Sequence, residues 1–120
     1  MENVILKRGL FILAILFLLI ILVFWYKNKD FNAVDKFARC LTENNVVMYG
    51  VDYCQSCQNQ KQMFGDSFKY IKYINCDFNR AICQDLGVSV YPVWMFENKP
   101  FPGVKSFQQL SDLSVCSIKE

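Results

Sequence analysis

Cys54-Gln55-Ser56-Cys57 is the part of this chain best equipped for chemistry. Two thiols three residues apart can exchange a disulfide with another protein, the attacking species being a thiolate; the same spacing also opens many zinc sites. The flanking residues favour exchange. The apolar run Val46-Val47-Met48-Tyr49 precedes the pair and residues 58–64 read as helix, so Cys54 is expected at a helix start. Unpaired backbone N–H groups and the positive end of the helix dipole favour thiolate over thiol there. Cys57 lies about one turn further on, placed to resolve a mixed disulfide by attacking Cys54. The chain contains no histidine, which removes the commonest general base and metal ligand and leaves Cys-His acyl transfer without its partner.

The elements that must position these thiols occupy only part of the 120 residues. Residues 9–26 carry no charge. As a helix they would span about 27 Å, close to the ~30 Å hydrocarbon core of a bilayer. Trp25 and Tyr26 close the run where aromatic belts occur, and Lys7, Arg8, Lys27 and Lys29 bracket it. A cleaved signal peptide would have a shorter apolar region ending in small residues, which Phe24-Trp25-Tyr26-Lys27 does not supply. The expected organisation is therefore a tail over 1–8, a transmembrane helix over 9–26, a polar tether over 27–32 and one soluble domain over 33–120. A formal charge of +2 from scattered basic residues argues against a nucleic-acid surface.

Six cysteines in so short a soluble region fit an oxidising compartment, and an even number fits pairing, although six allow 15 connectivities. By count, Lys7 and Arg8 are outweighed by Lys27, Lys29, Lys36 and Arg39 as markers of the inner side. The cysteines argue the other way and place the soluble domain on the extracytoplasmic side, periplasmic, lumenal or extracellular.

Along that domain, Asn32 is a plausible N-cap for a short helix bearing Val34, Phe37, Ala38 and Leu41. Residues 46–49 read as a buried strand, the Cys54 helix ends near Gly65, and residues 70–75 read as a second strand. A helix over 79–86 ends at Gly87, and a strand over 93–96 turns at Glu97-Asn98-Lys99 into Pro100-Phe101. Ser106 then caps a last helix with Phe107, Leu110 and Leu113 on one face. A strand-helix-strand unit followed by a hairpin predicts an α/β fold, a mixed sheet with helices on its faces.

A strand, a CxxC opening a helix and a Pro before a later strand follow the plan of the thioredoxin fold, and here the chain resembles that family. Within it, Phe37-Ala38-Arg39-Cys40-Leu41-Thr42, Val47-Met48-Tyr49-Gly50, Cys57-Gln58-Asn59-Gln60-Lys61, Phe64-Gly65-Asp66-Ser67-Phe68 and Tyr91-Pro92-Val93-Trp94 look like the thioredoxin-like domain fused to bacterial and plant homologues of vitamin K epoxide reductase. The resemblance implies a mixed four-stranded sheet, a cis peptide at Tyr91-Pro92 whose backbone pairs with substrate, and no organic or metal cofactor. It also implies exported cysteine-containing proteins as substrates. One apolar helix stands where the fusions carry a four-helix reductase, so a separately encoded vitamin K epoxide reductase-like membrane protein is the expected partner. Tyr53 replaces the more usual Trp, Gln55-Ser56 replaces a frequent Pro-His, and Met48 stands where thioredoxin itself carries a buried acid. These departures leave oxidase, reductase and isomerase directions open.

The other cysteines have readings of their own. Cys76 follows a strand and Cys83 sits in the next helix, a separation that a strand-to-helix turn can close as a structural bridge or as a relay; a similar pair occurs in the fusions. Cys40 and Cys116 would staple the ends of the domain. Tyr53, Val90, Tyr91 and Pro92 could form an apolar patch that receives unfolded substrate. Two other classes compete: a cysteine-only zinc module, whose second pair is normally two apart where here it is six, and a redox-inert adaptor. The reading is a membrane-anchored thiol-disulfide oxidoreductase with Cys54 as nucleophile, Cys57 as resolving thiol, and Pro92, Tyr91 and Tyr53 against substrate.

Overall fold

The computed structural model describes residues 1–118, with the side chains of all of these but 28–32. The last two residues of the expected domain, and the side chains of Phe31 and Asn32, lie outside that description. The chain divides into two compact units, Met1–Asn32 and Ala33–Glu120.

In the first unit, Glu2–Lys27 is long and apolar enough to cross a membrane, and the protein buries none of its most apolar stretch. The helix to which it belongs, α1, is assigned over Glu2–Glu43, which differs from a helix beginning afresh at Asn32. The difference has a simple cause. Residues 27–43 contain neither Gly nor Pro, and polar residues in a helix interior cost only a few tenths of a kcal/mol each, so nothing compels the backbone to leave helical geometry for a cap.

The second unit is α/β. After α1 come β1 (Val47–Gly50), α2 (Gln55–Phe64), a 3-10 helix (Gly65–Tyr70), β2 (Lys72–Asn75), α3 (Arg80–Asp85), β3 (Val93–Phe96), β4 (Lys99–Pro102) and α4 (Phe107–Leu113). The strands form one mixed sheet in the order β2-β1-β3-β4. β1 and β2 are parallel, with Met48 opposite Tyr73, as a crossover through α2 requires. β3 pairs antiparallel with β1 and with β4. The β3-β4 turn places Glu97 and Asn98 at φ +48° and +61°, the left-handed pair that a two-residue hairpin needs to match strand twist. The 3-10 helix was not foreseen: Gly65 turns at φ +54° and the chain coils once more before β2, which shortens that strand from the expected 70–75.

Because strand side chains alternate, each face of the sheet builds its own core. Val46, Met48 and Trp94 join Phe37, Ala38 and Leu41 of α1, Cys57 and Phe64 of α2, and Leu110 of α4. Phe64 centres this layer, with ring centroids 4.9 Å from Phe107, 6.0 Å from Trp94 and 6.5 Å from Phe37. On the opposite face Val47, Tyr49, Val93 and Met95 pack with Val51, Cys76 and Cys83. Two disulfides close the domain, Cys40–Cys116 and Cys76–Cys83.

Candidate functional site

α2 begins at the dithiol because Cys54 is itself the N-cap. Its backbone is extended at φ −86°, ψ 114°, and its Sγ accepts a hydrogen bond from the Cys57 N–H at 3.2 Å. Sulfur here takes the place usually filled by a Ser or Asp oxygen, so an otherwise orphaned helix N–H points at the first thiol. The carbonyl of Cys54 accepts from the Gln58 N–H at 3.1 Å, which closes the first helical turn.

That turn separates the two sulfurs by environment. Cys54 is partly exposed, whereas Cys57 is 0 % exposed among core residues, and both are free thiols. Burial, followed by the hydrogen bond with Cys54, pushes the Cys57 thiol up to about 11 from an ordinary 9.0; the Val51 backbone and the Lys61 charge pull more weakly the other way. An accessible first sulfur and a protonated, buried second one suit a pair in which one thiol attacks from outside and the other only within the molecule.

Across from the dithiol runs the segment entering β3. The Cys54 thiol lies 3.7 Å from the carbonyl oxygen of Tyr91, to which it donates. The Tyr91–Pro92 peptide is cis, and Pro92 is fully buried. Its carbonyl accepts from the Gly103 N–H at 2.8 Å, so the loop beside Cys54 is held to the end of the hairpin. Tyr91 is half-buried, while Tyr53 (81 % exposed) and Val90 (54 %) present apolar surface to solvent. Cys54 and Tyr91 both pack on the cluster that contains the Cys76–Cys83 bridge, whose two residues are themselves only 3 % and 2 % exposed. Cys40 and Cys116 bond far along the chain from the dithiol and tie α1 to the segment after α4.

Five further residues complete the surroundings, and sequence reasoning missed their part. Gly50 ends β1 against Cys57: a Cβ there would lie 2.9 Å from Cys57 Sγ and 3.3 Å from the Tyr73 hydroxyl. Tyr73, on β2, has a buried hydroxyl with no hydrogen-bond partner. Lys61, one turn after Cys57, lies 4.1 Å above the Tyr73 ring and 3.6 Å from Asp52 Oδ1. Asp52 is held in turn by the Asn75 side-chain amide, which donates to its Oδ2 at 2.9 Å. The spacing Cys57-Lys61 at i, i+4 was available as a signal for Lys61; nothing in the order of residues brings Gly50 and Tyr73 to the same sulfur.

No group of three or more His, Cys, Asp or Glu that could hold a metal occurs among the described residues. With Cys76 bonded to Cys83, the dithiol lacks the second cysteine pair that a four-cysteine zinc ribbon uses.

No protein-family model matches the chain. The Arabidopsis thaliana thiol-disulfide oxidoreductase LTO1 is 25 % identical over 92 residues, covering 69 % of this chain and 24 % of its own length. The chain therefore spans about a quarter of that curated relative. A solved structure described as that of a malarial protein aligns over 57 % of this chain and 89 % of its own, at 18 % identity and a TM-score of 0.44. That likeness is too low to support any argument about fold.

Proposed function

We propose that this chain is a membrane-anchored thiol-disulfide oxidoreductase of the thioredoxin-like kind, with Cys54 and Cys57 as its redox couple. The observation that carries the reading is the asymmetry of the pair: Cys54 caps α2 at the surface, beside the Tyr91 carbonyl, while Cys57 is buried one turn behind it. The distant relative named a thiol-disulfide oxidoreductase supports it.

In the reducing direction the Cys54 thiolate attacks a substrate disulfide, a Cys54–substrate bond forms, and one substrate thiolate leaves. Cys57 then attacks Cys54 Sγ. The Cys54–Cys57 bond forms, the Cys54–substrate bond breaks, and the proton of Cys57 ends on the departing substrate sulfur, so two electrons have moved to the substrate. Run backwards, the same steps oxidise a substrate dithiol. The Tyr91–Pro92 backbone lies against the dithiol to align an extended substrate chain, and Tyr53, Val90 and Tyr91 offer it an apolar surface. The buried Cys76–Cys83 bridge acts structurally.

The apolar run at 9–26 and the paired cysteines support a reading in which the domain lies on the extracytoplasmic side, with exported cysteine-containing proteins as substrates and a vitamin K epoxide reductase-like membrane protein as the source of oxidising equivalents. A reduction potential near −120 mV for Cys54–Cys57 would fit that direction, and one near −270 mV a reductant. The decisive experiment is an insulin-reduction and dithiol-oxidation assay of the full chain in detergent. Activity is expected in the native protein and its loss in Cys54→Ser; native-level activity in that variant would falsify the reading. Cys57→Ser should instead accumulate mixed disulfides through Cys54, and the identity of trapped membrane proteins tests the proposed partner.

A further inference from the structure

The buried resolving thiol faces an electrostatic problem that β1 does not solve. The side chains β1 turns toward Cys57 are apolar or absent: Met48 is fully buried, and Gly50 has none. Yet Cys57 must develop negative charge to attack Cys54. The charged and titratable groups around it are Cys54 and Lys61 on α2, Asp52 in the loop before α2, and Tyr73 on β2, with Asp77 acting on Tyr73 from beyond the strand.

Of these, Tyr73 is the anomaly. Its hydroxyl is buried without a partner, where such groups are almost always hydrogen-bonded. Its ring is held from two sides, by Phe68 at 5.6 Å between centroids and by the Lys61 ammonium 4.1 Å from its centroid. The hydroxyl and Cys57 Sγ flank the one point that a side chain at position 50 would occupy. Glycine there keeps a methyl group from wedging between oxygen and sulfur. Burial and the nearby Asp52 hold the phenol well above its ordinary range, so it stays protonated, a donor and not a base.

We propose that Tyr73 is the hydrogen-bond donor that stabilises the Cys57 thiolate during resolution, across the space that Gly50 leaves open. The inference rests on the exchange reaction proposed above. No atom is transferred to or from Tyr73: its O–H turns toward the sulfur as the Cys57 proton departs to the leaving substrate thiolate, and turns away once the Cys54–Cys57 bond has formed. Resolution relieves a group that the resting reduced protein leaves unpaired.

The test uses the reduced full chain in detergent micelles, mixed with an aromatic disulfide that releases one coloured thiolate per step. Attack by Cys54 releases the first equivalent and attack by Cys57 the second, so stopped-flow absorbance separates the two. Tyr73→Phe keeps the ring and removes the hydroxyl. The thiolate fraction of Cys57 should fall roughly tenfold, as for loss of a hydrogen bond to a charged group. The more basic thiolate is also the better nucleophile, so the second phase should slow about three- to fourfold at neutral pH, and its alkaline midpoint should rise by roughly one pH unit. The first phase should not change. Thermal unfolding should be unaltered or slightly raised, because the removed oxygen has no partner to orphan. Equal second phases in the two proteins, or slowing of both phases alike, would overturn the assignment, as would a loss of cooperative unfolding. Absence of a first phase in the native protein would instead sink the exchange reading itself, and the assignment with it.

Discussion

At the scale of single residues, the dithiol works by difference. One backbone turn puts Cys54 at the surface and Cys57 in the core, and that placement has a consequence for stability as well as for the proposed exchange. The folded protein holds the Cys57 proton up to about 11, above the ordinary 9.0 that applies in the unfolded chain. A group raised on folding contributes its full stabilisation below its unfolded value and loses it as pH climbs through the folded one. Reduced protein should therefore lose at most about 2 kcal/mol between pH 9 and 11 that oxidised protein, lacking this thiol, does not lose. Burial raises Tyr49 as well, and Tyr73 is raised too, but both tyrosines are present in either redox form and largely cancel in the comparison. Urea midpoints of the two forms across that interval check the point, and a constant difference would contradict it.

At the scale of elements, α2 must be fixed against β3 if Cys54 is to stay beside Tyr91. Gln60 does much of this. It is fully buried; its Oε1 accepts from the Trp94 indole at 3.1 Å and from the Lys105 N–H at 2.7 Å, and its Nε2 donates to the Lys105 carbonyl at 3.0 Å. Gln60→Ala strands a buried indole N–H and leaves a cavity, so a loss of about 2–4 kcal/mol is expected from urea denaturation, with exchange activity kept in the folded fraction. A loss under about 0.5 kcal/mol would show that water or a neighbour replaces the amide. The helix pattern carried a hint of this: Cys57, Gln60 and Phe64 share the i, i+3, i+7 stripe that faces the core. Nothing in composition marks Gln60 apart from its neighbour Gln58, whose amide instead reaches the Asp52 carbonyl at 2.9 Å on the surface.

At the scale of the whole molecule, two disulfides reinforce a domain of fewer than a hundred residues. In the chain-entropy account, the Cys40–Cys116 bridge, whose ends are 76 apart in sequence, contributes about 4.5 kcal/mol, and Cys76–Cys83, seven apart, about 2.5 kcal/mol. Against a typical stability of 5–15 kcal/mol the first is decisive. Cys40→Ala/Cys116→Ala should lower the thermal midpoint more than Cys76→Ala/Cys83→Ala, both measured without reductant, and the reverse order would mean that the buried small-loop bridge is the principal staple. The most apolar stretch of Glu2–Lys27 is buried by no part of the protein.

How much of this was legible in the order of residues follows from what is local. The apolar run near the N-terminus, the strand before Cys54, the Ser106 cap completed by Gln109 and the turn at Glu97-Asn98 are short-range patterns, each set by propensity, capping or periodicity over a few residues. The dithiol belongs with them, as two cysteines three residues apart at a helix start. Local signals misled at Asn32, where a plausible cap stands inside an assigned helix, and between Gly65 and Tyr70, where an extra 3-10 turn replaces the first part of a strand. Element order and the resemblance suggest Cys40–Cys116 and Cys76–Cys83 among the ways six cysteines can pair; the packing joins those two pairs and leaves Cys54 and Cys57 as free thiols, because bonding depends on which elements the sheet order brings together. The packing alone set the register of the parallel β1-β2 pair, with Met48 beside Tyr73. That register, with a glycine at position 50, leaves a lone hydroxyl and the sulfur of Cys57 to either side of the space a Cβ there would fill. Sequence by itself sets two thiols three residues apart at a helix start, because that is local; the packing around them determines how differently they are buried.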